Sequence, residues 1–225
     1  MTAPVPPELK AKVLSHLEPV RPLAPPAVRL VLVALWGLAA LVGVPALVGL
    51  RFNASQLGFW LLWGATAAEA LTGLLLVFLA LREGIPGLGA SVGVVASALG
   101  AAFLVELGVA LLTHARCPCP ARFGPGVACF TSETLLGVPA LVLTLILVVR
   151  AYPLSPPRAG LLGGVGAGLL ADALQHLVCP ISDPRHVLVW HLGAIIFLGL
   201  LGLGLGLLWQ ARRVRSLEED LEGKP

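Results

Sequence analysis

Apolar residues run in six long blocks, at roughly 28–50, 57–81, 87–112, 132–151, 159–178 and 187–209, with polar residues gathered between them. Each block approaches the ~20 residues a helix needs to cross a hydrocarbon core. In lipid only closed helices satisfy their own backbone. The pattern therefore predicts an all-α, polytopic membrane protein with six transmembrane helices. It divides the chain into an N-terminal segment (1–27), a six-helix domain (28–209) and a tail (210–225). The first block opens behind Pro-rich and charged residues, and no small-residue cleavage site follows it, so it reads as a retained anchor.

Lys and Arg positions orient the helices. With the N-terminus inside, the inner loops and ends hold Lys10, Lys12, Arg21, Arg29, Arg82, Arg150, Arg158, Arg212, Arg213, Arg215 and Lys224. The outer loops hold only Arg51, Arg116, Arg122 and Arg185. This bias predicts both termini in the cytosol of a multi-pass protein of the bacterial inner membrane. Trp36, Trp60, Trp63, Trp190 and Trp209 mostly lie near span ends, where an amphipathic ring is favoured.

Glycines recur at fourfold spacing in the last two spans: Gly160, Gly164 and Gly168, then Gly202 and Gly206. This spacing puts small residues on one helix face and predicts close backbone approach. A nucleotide loop is excluded, because no strand precedes these glycines and they sit inside an apolar span.

The N-terminal segment carries a different periodicity. Pro7 is placed to start a helix and Pro19 to stop it. Between them Leu9, Val13 and Leu17 fall four apart, with Leu14 beside them. A helix this short is marginal in water and needs a surface, either the membrane or a partner's groove. Few basic residues line it, which favours a partner over lipid. Val20, Arg21 and the prolines after them form an extended spacer to the first span. The acidic end, Glu218 to Asp220, reads as a solvated terminus.

Composition agrees. The chain is 57% hydrophobic and 12% charged, against about 25% charged in soluble domains. A net charge of +3 gives no footprint for direct nucleic-acid binding.

The predicted topology gathers the reactive side chains on one face. Cys117, Cys119 and Cys129 fall in the second outer connection and Cys179 in the last, together with His114, His176, His186 and His191. Disulfides are allowed there. A Cys117–Cys119 bond would close a very small strained ring; the other pairings tie Cys179 to the 113–130 loop. Three readings stand: a structural disulfide set, a thiol–imidazole sensor that takes a soft ion such as Zn or Cu or is oxidised, and thiol exchange. His114, Cys117 and Cys119 offer close ligands, which Cys129, Cys179 or His176 would complete.

Glu69, Glu106, Asp172, His176 and His191 lie within or at the edge of the spans, where ionisable groups by default indicate function. Asp172 and His176 are four apart and share a face. The competing reading is simple helix–helix hydrogen bonding, worth about 1 kcal/mol a bond; it weighs most for Glu106 and His191, placed near the interface.

The block Leu17-Glu18-Pro19-Val20-Arg21-Pro22-Leu23-Ala24-Pro25-Pro26 resembles the NrsF-type multi-pass anti-sigma factors. So do Cys129, Pro157-Arg158-Ala159-Gly160, His176-Leu177-Val178-Cys179-Pro180 and Val189-Trp190-His191-Leu192-Gly193. The light-responsive anti-sigma factors of carotenoid control look like relatives. The resemblance covers nearly the whole chain in topology. It implies a non-enzymatic regulator whose cytosolic N-terminus holds an extracytoplasmic-function sigma factor until an envelope signal arrives: metal, oxidant or light-derived singlet oxygen. It also implies that Cys129 and Cys179 are the sensing pair, with Cys117 and Cys119 extra in this chain.

Two rivals differ in class. A membrane thiol oxidoreductase working with a quinone would want a Cys-x-x-Cys pair, and the sequence has none. A small transporter using Glu69, Glu106 and Asp172 would show internal symmetry, and no convincing repeat is visible. Neither explains the N-terminal segment.

Overall fold

The computed structural model describes residues 6–8, 11, 15, 23–118, 126–221 and 223. Its long helices are α1 (Pro26–Val48), α2 (Ala54–Glu83), α3 (Val92–Arg116), α4 (Gly126–Val149), α5 (Pro156–Val178) and α6 (Leu192–Leu221). A short α turn, Pro184–His186, and a π-helical turn, Val187–His191, lead directly into α6. No strand occurs among the described residues. Six helical stretches are long and apolar enough to cross a membrane, the last running Pro184–Ser216. The protein is thus an all-helical, multi-pass membrane protein, as the hydrophobic blocks predict.

The expected spans shift where local chemistry outweighs hydropathy. The third was expected from 87, yet α3 begins at Val92. Pro86 and Gly87, the latter at φ 79°, turn the chain first, and Ser91 Oγ then caps α3 by accepting from Val94 N. The fourth was expected from 132, but α4 starts at Gly126 and takes in Cys129. Cys129 therefore belongs to a helix, not to a loop. Two residues on from Thr131, which is exposed, Glu133 is fully buried in the protein. The last helix continues to Leu221, beyond the expected end at 209. Arg213 extends it by lying over the rings of Trp209 and Tyr152, 5.4 Å from each centroid.

Pro7, Glu8, Ala11 and Ser15 are helical. The expected partner-binding residues Leu9, Val13, Leu14, Leu17, Val20 and Arg21 lie outside the described residues, as does Cys119.

Helix α5 is the hub and is buried along nearly its full length between α2, α4 and α6. Small residues make this geometry available. A Cβ on Gly164 would meet Gly199 Cα at 2.8 Å, and one on Gly166 would meet Gly73 O at 2.7 Å. Gly160 and Gly202 touch backbone to backbone. With no hydrophobic drive between helices in lipid, this close contact supplies the packing attraction. By contrast α1 buries only Arg29, Val33 and Gly37, a single narrow stripe.

Alternating helix directions place the 49–53 connection, the end of α3 and the 179–183 connection at one end of the bundle, here the thiol end. At the other end Arg29 donates to Leu147 O (2.8 Å) and Leu81 O (3.2 Å), tying the start of α1 to α2 and α4. Nearby, Glu83 accepts from Ala90 N at 2.7 Å and lies 3.4 Å from Arg158 Nη2.

Candidate functional site

The thiol end is organised around Arg51, buried despite its charge. Its guanidinium donates to Asn53 Oδ1 (2.7 Å), Ser182 Oγ (2.7 Å) and the His176 carbonyl (3.3 Å). Asn53 donates to Pro180 O (2.9 Å) and Cys117 Sγ (3.2 Å), and Cys117 Sγ donates to Gln56 Oε1 at 3.0 Å. His114 Nδ1 reaches Ser182 O at 3.1 Å. These bonds fasten the 49–53 and 179–183 connections to the end of α3.

Among the described members of the expected metal-ligand set, His114, Cys117 and His176 do not converge as one donor group. His114 and Cys117 are engaged at the start of α2 and the 179–183 turn, while His176 lies on α5 with its carbonyl on Arg51. A different set converges instead: Cys129 from α4, Cys179 at the end of α5, His186 from the short α turn and His191 from the π turn. One donor atom from each lies within 4.8 Å of the others.

Cys129 Sγ and Cys179 Sγ are 3.6 Å apart and not bonded, and Cys179 Sγ is 3.6 Å from His186 Nε2. A disulfide needs about 2.05 Å, so a modest rotation closes one. Two thiolates on a tetrahedral zinc, with Zn–S about 2.3 Å, stand about 3.7 Å apart. The pair therefore suits oxidation and soft-metal capture alike. The neighbouring Cys129 sulfur, then burial, push the Cys179 thiol above its ordinary pKa. Cys179 accordingly remains protonated at neutral pH.

The π turn explains how His191 enters this set. It widens the helix at Val187–His191 and brings the His186 and His191 rings to 5.3 Å, edge to face. From there His191 Nδ1 reaches inward to Asp172 Oδ1 at 2.7 Å and to Glu133 Oε2 at 3.6 Å. Asp172 thus bonds His191 rather than His176, its neighbour on the same face. Glu69, Glu106 and Asp172 meet on the far side, again with one oxygen each within 4.8 Å. Both Glu106 (1% exposed) and His191 (4%) are shielded by protein.

Of the expected site residues, Cys129, Cys179, Glu69, Glu106, Asp172 and His191 lie in one continuous cluster, buried except for the half-buried Cys129. Glu133 and His186 join it without having been expected site residues. Pro125-Gly126, a helix-start signal, would have put Glu133 two turns inside a span. No sequence signal marks the π turn that follows His186.

The family model for NrsF, negative regulator of sigma F, matches residues 14–210. No curated protein and no solved structure matches the chain.

Proposed function

The chain belongs to the NrsF family, the negative regulators of sigma F, and from that premise we propose that it is an inner-membrane anti-sigma factor gated by its Cys129–Cys179 pair. In this reading both termini are cytosolic and the thiol end faces the periplasm. The segment before α1, with Leu9, Val13, Leu14, Leu17, Val20 and Arg21, holds an extracytoplasmic-function sigma factor away from RNA polymerase.

The observation that carries the reading is the unbonded 3.6 Å sulfur pair at the junction of α4 and α5, backed by His186 and His191. An envelope oxidant, a peroxide or light-derived singlet oxygen, takes two electrons and two protons from the thiols and leaves one S–S bond. A soft ion displaces the same protons and bridges the same sulfurs. Either event pulls the start of α4 onto the end of α5. Helix α5 is rigidly packed, so the strain passes to the lightly held elements. Helix α1 is the lightest, fixed along Arg29, Val33 and Gly37, and it leads directly from the docking segment.

Co-purification tests the capture step. The full chain should retain a co-expressed sigma factor, and deletion of residues 1–20 should abolish retention without disturbing membrane insertion. Retention that survives the deletion refutes the docking role. A C129S/C179S variant should hold the sigma factor but fail to release it on oxidant, metal or light; a normal response to every stimulus refutes the thiol gate.

A further inference from the structure

Thiol gating leaves the deepest polar groups of the bundle without a role. Glu69 on α2, Glu106 on α3 and Asp172 on α5 converge from three helices. Glu69 and Glu106 are each 1% exposed, and none of their four carboxylate oxygens is met by an amide, hydroxyl, guanidinium or imidazole donor among the described residues; Glu106 faces only the carboxylate of Asp172. Buried polar groups are almost always satisfied, and an orphaned pair of carboxylates calls for a missing partner.

That partner has a place to sit. Glu69, Glu106 and Asp172 line a cavity of about 20 Å³, walled also by Arg51, His176, Cys179 and His191. Such a volume holds one water-sized species. Hard divalent cations bind oxygen at roughly 2.0–2.6 Å, so oxygens on opposite sides of one stand about 4–5 Å apart. The observed spread, within 4.8 Å, falls in that range. Asp172 is oriented by His191 at 2.7 Å, as outer partners commonly orient a ligating carboxylate.

We propose that Glu69, Glu106 and Asp172 bind one divalent cation of the hard, oxygen-preferring class in the core of the bundle. The site is separate in chemistry from the sulfur–imidazole set, since carboxylates select such ions and thiolates select soft ones. It does not depend on sigma-factor capture, and its failure would leave that reading untouched.

Manganese is the probe. Full-length protein purified in detergent, stripped with chelator and dialysed against Mn²⁺ should retain about one Mn²⁺ per chain by elemental analysis. C129S/C179S should retain the same amount, while E69Q and E106Q should each bind at least tenfold more weakly. The spectrum of Mn²⁺ bound to the wild-type chain should show no directly coordinated nitrogen, a readout that stands even if the acid variants misfold. No retained Mn²⁺ in the wild type, retention unchanged in folded E69Q, loss in C129S/C179S, or coordinated imidazole nitrogen would each overturn the proposal. The first result would mean that protons alone neutralise the cluster.

Discussion

His191 Nδ1 lies 2.7 Å from Asp172 Oδ1, a bond across two helices inside the bundle. The same imidazole stands in the donor set with Cys129 and Cys179. One side chain therefore joins the thiol pair to the buried carboxylates. A carboxylate only accepts, so the ring proton is fixed on Nδ1 and Nε2 is left without a hydrogen-bond partner among the described residues.

A coupled pair of this kind predicts non-additive stability. Interhelical hydrogen bonds in membranes are worth about 1–2 kcal/mol at most. D172N and H191A should each lower unfolding stability in mixed micelles by about that amount, and the double variant should lose clearly less than the sum. Additive losses would mean that the two side chains act independently.

The glycine contacts predict a sharper contrast. A side chain on Gly164 has Leu198 and Gly199 backbone in its way, whereas Gly204 has nothing within 4 Å of an added Cβ. Over-packing a tight contact costs about 1–3 kcal/mol or more. G164L should therefore destabilise the bundle by at least ~2 kcal/mol or prevent its accumulation, while G204L should insert and unfold like the wild type. Equal behaviour of the two variants in the same unfolding titration would remove α5–α6 backbone contact as the source of packing.

These contacts also show what was legible beforehand. Gly160, Gly164 and Gly168 announce their role, because spacing on a helix is geometry written directly in the sequence. Glu69 is legible for a similar reason: a carboxylate deep in an apolar run has no cheap place except a protein interior. Glu133 is hidden, because the apolar block puts it at the very edge of a span, where a carboxylate could meet water, whereas the helix begins two turns earlier at Gly126 and buries it. Ser132 Oγ accepts from Gln175 Nε2 at 3.1 Å, so polarity there means a helix contact, not a loop. The regrouping of ligands is hidden more deeply. His114 and Cys117 look like a metal run because they are close in sequence, yet Asn53, Gln56 and Ser182, distant in sequence, claim them. His186 and His191 are brought together by an extra backbone residue in a π turn, which no pattern of side chains specifies.

The thiol pair makes the last prediction, through Cys179. Its pKa is raised, chiefly by the Cys129 sulfur, so the thiol form persists to higher pH than usual. Alkylation needs the thiolate, whose fraction grows about tenfold per pH unit below the pKa. An ordinary cysteine levels off past about pH 8.5. Iodoacetamide labelling of Cys179 in the native protein, followed by peptide mass spectrometry, should still be rising steeply above pH 9. In C129S the largest cause of the shift is gone, and the curve should bend nearer to about 8.5. A wild-type curve that flattens at or below about pH 8.5 would mean that the two sulfurs do not sense each other. The short separation of Cys129 and Cys179 would then carry no chemistry.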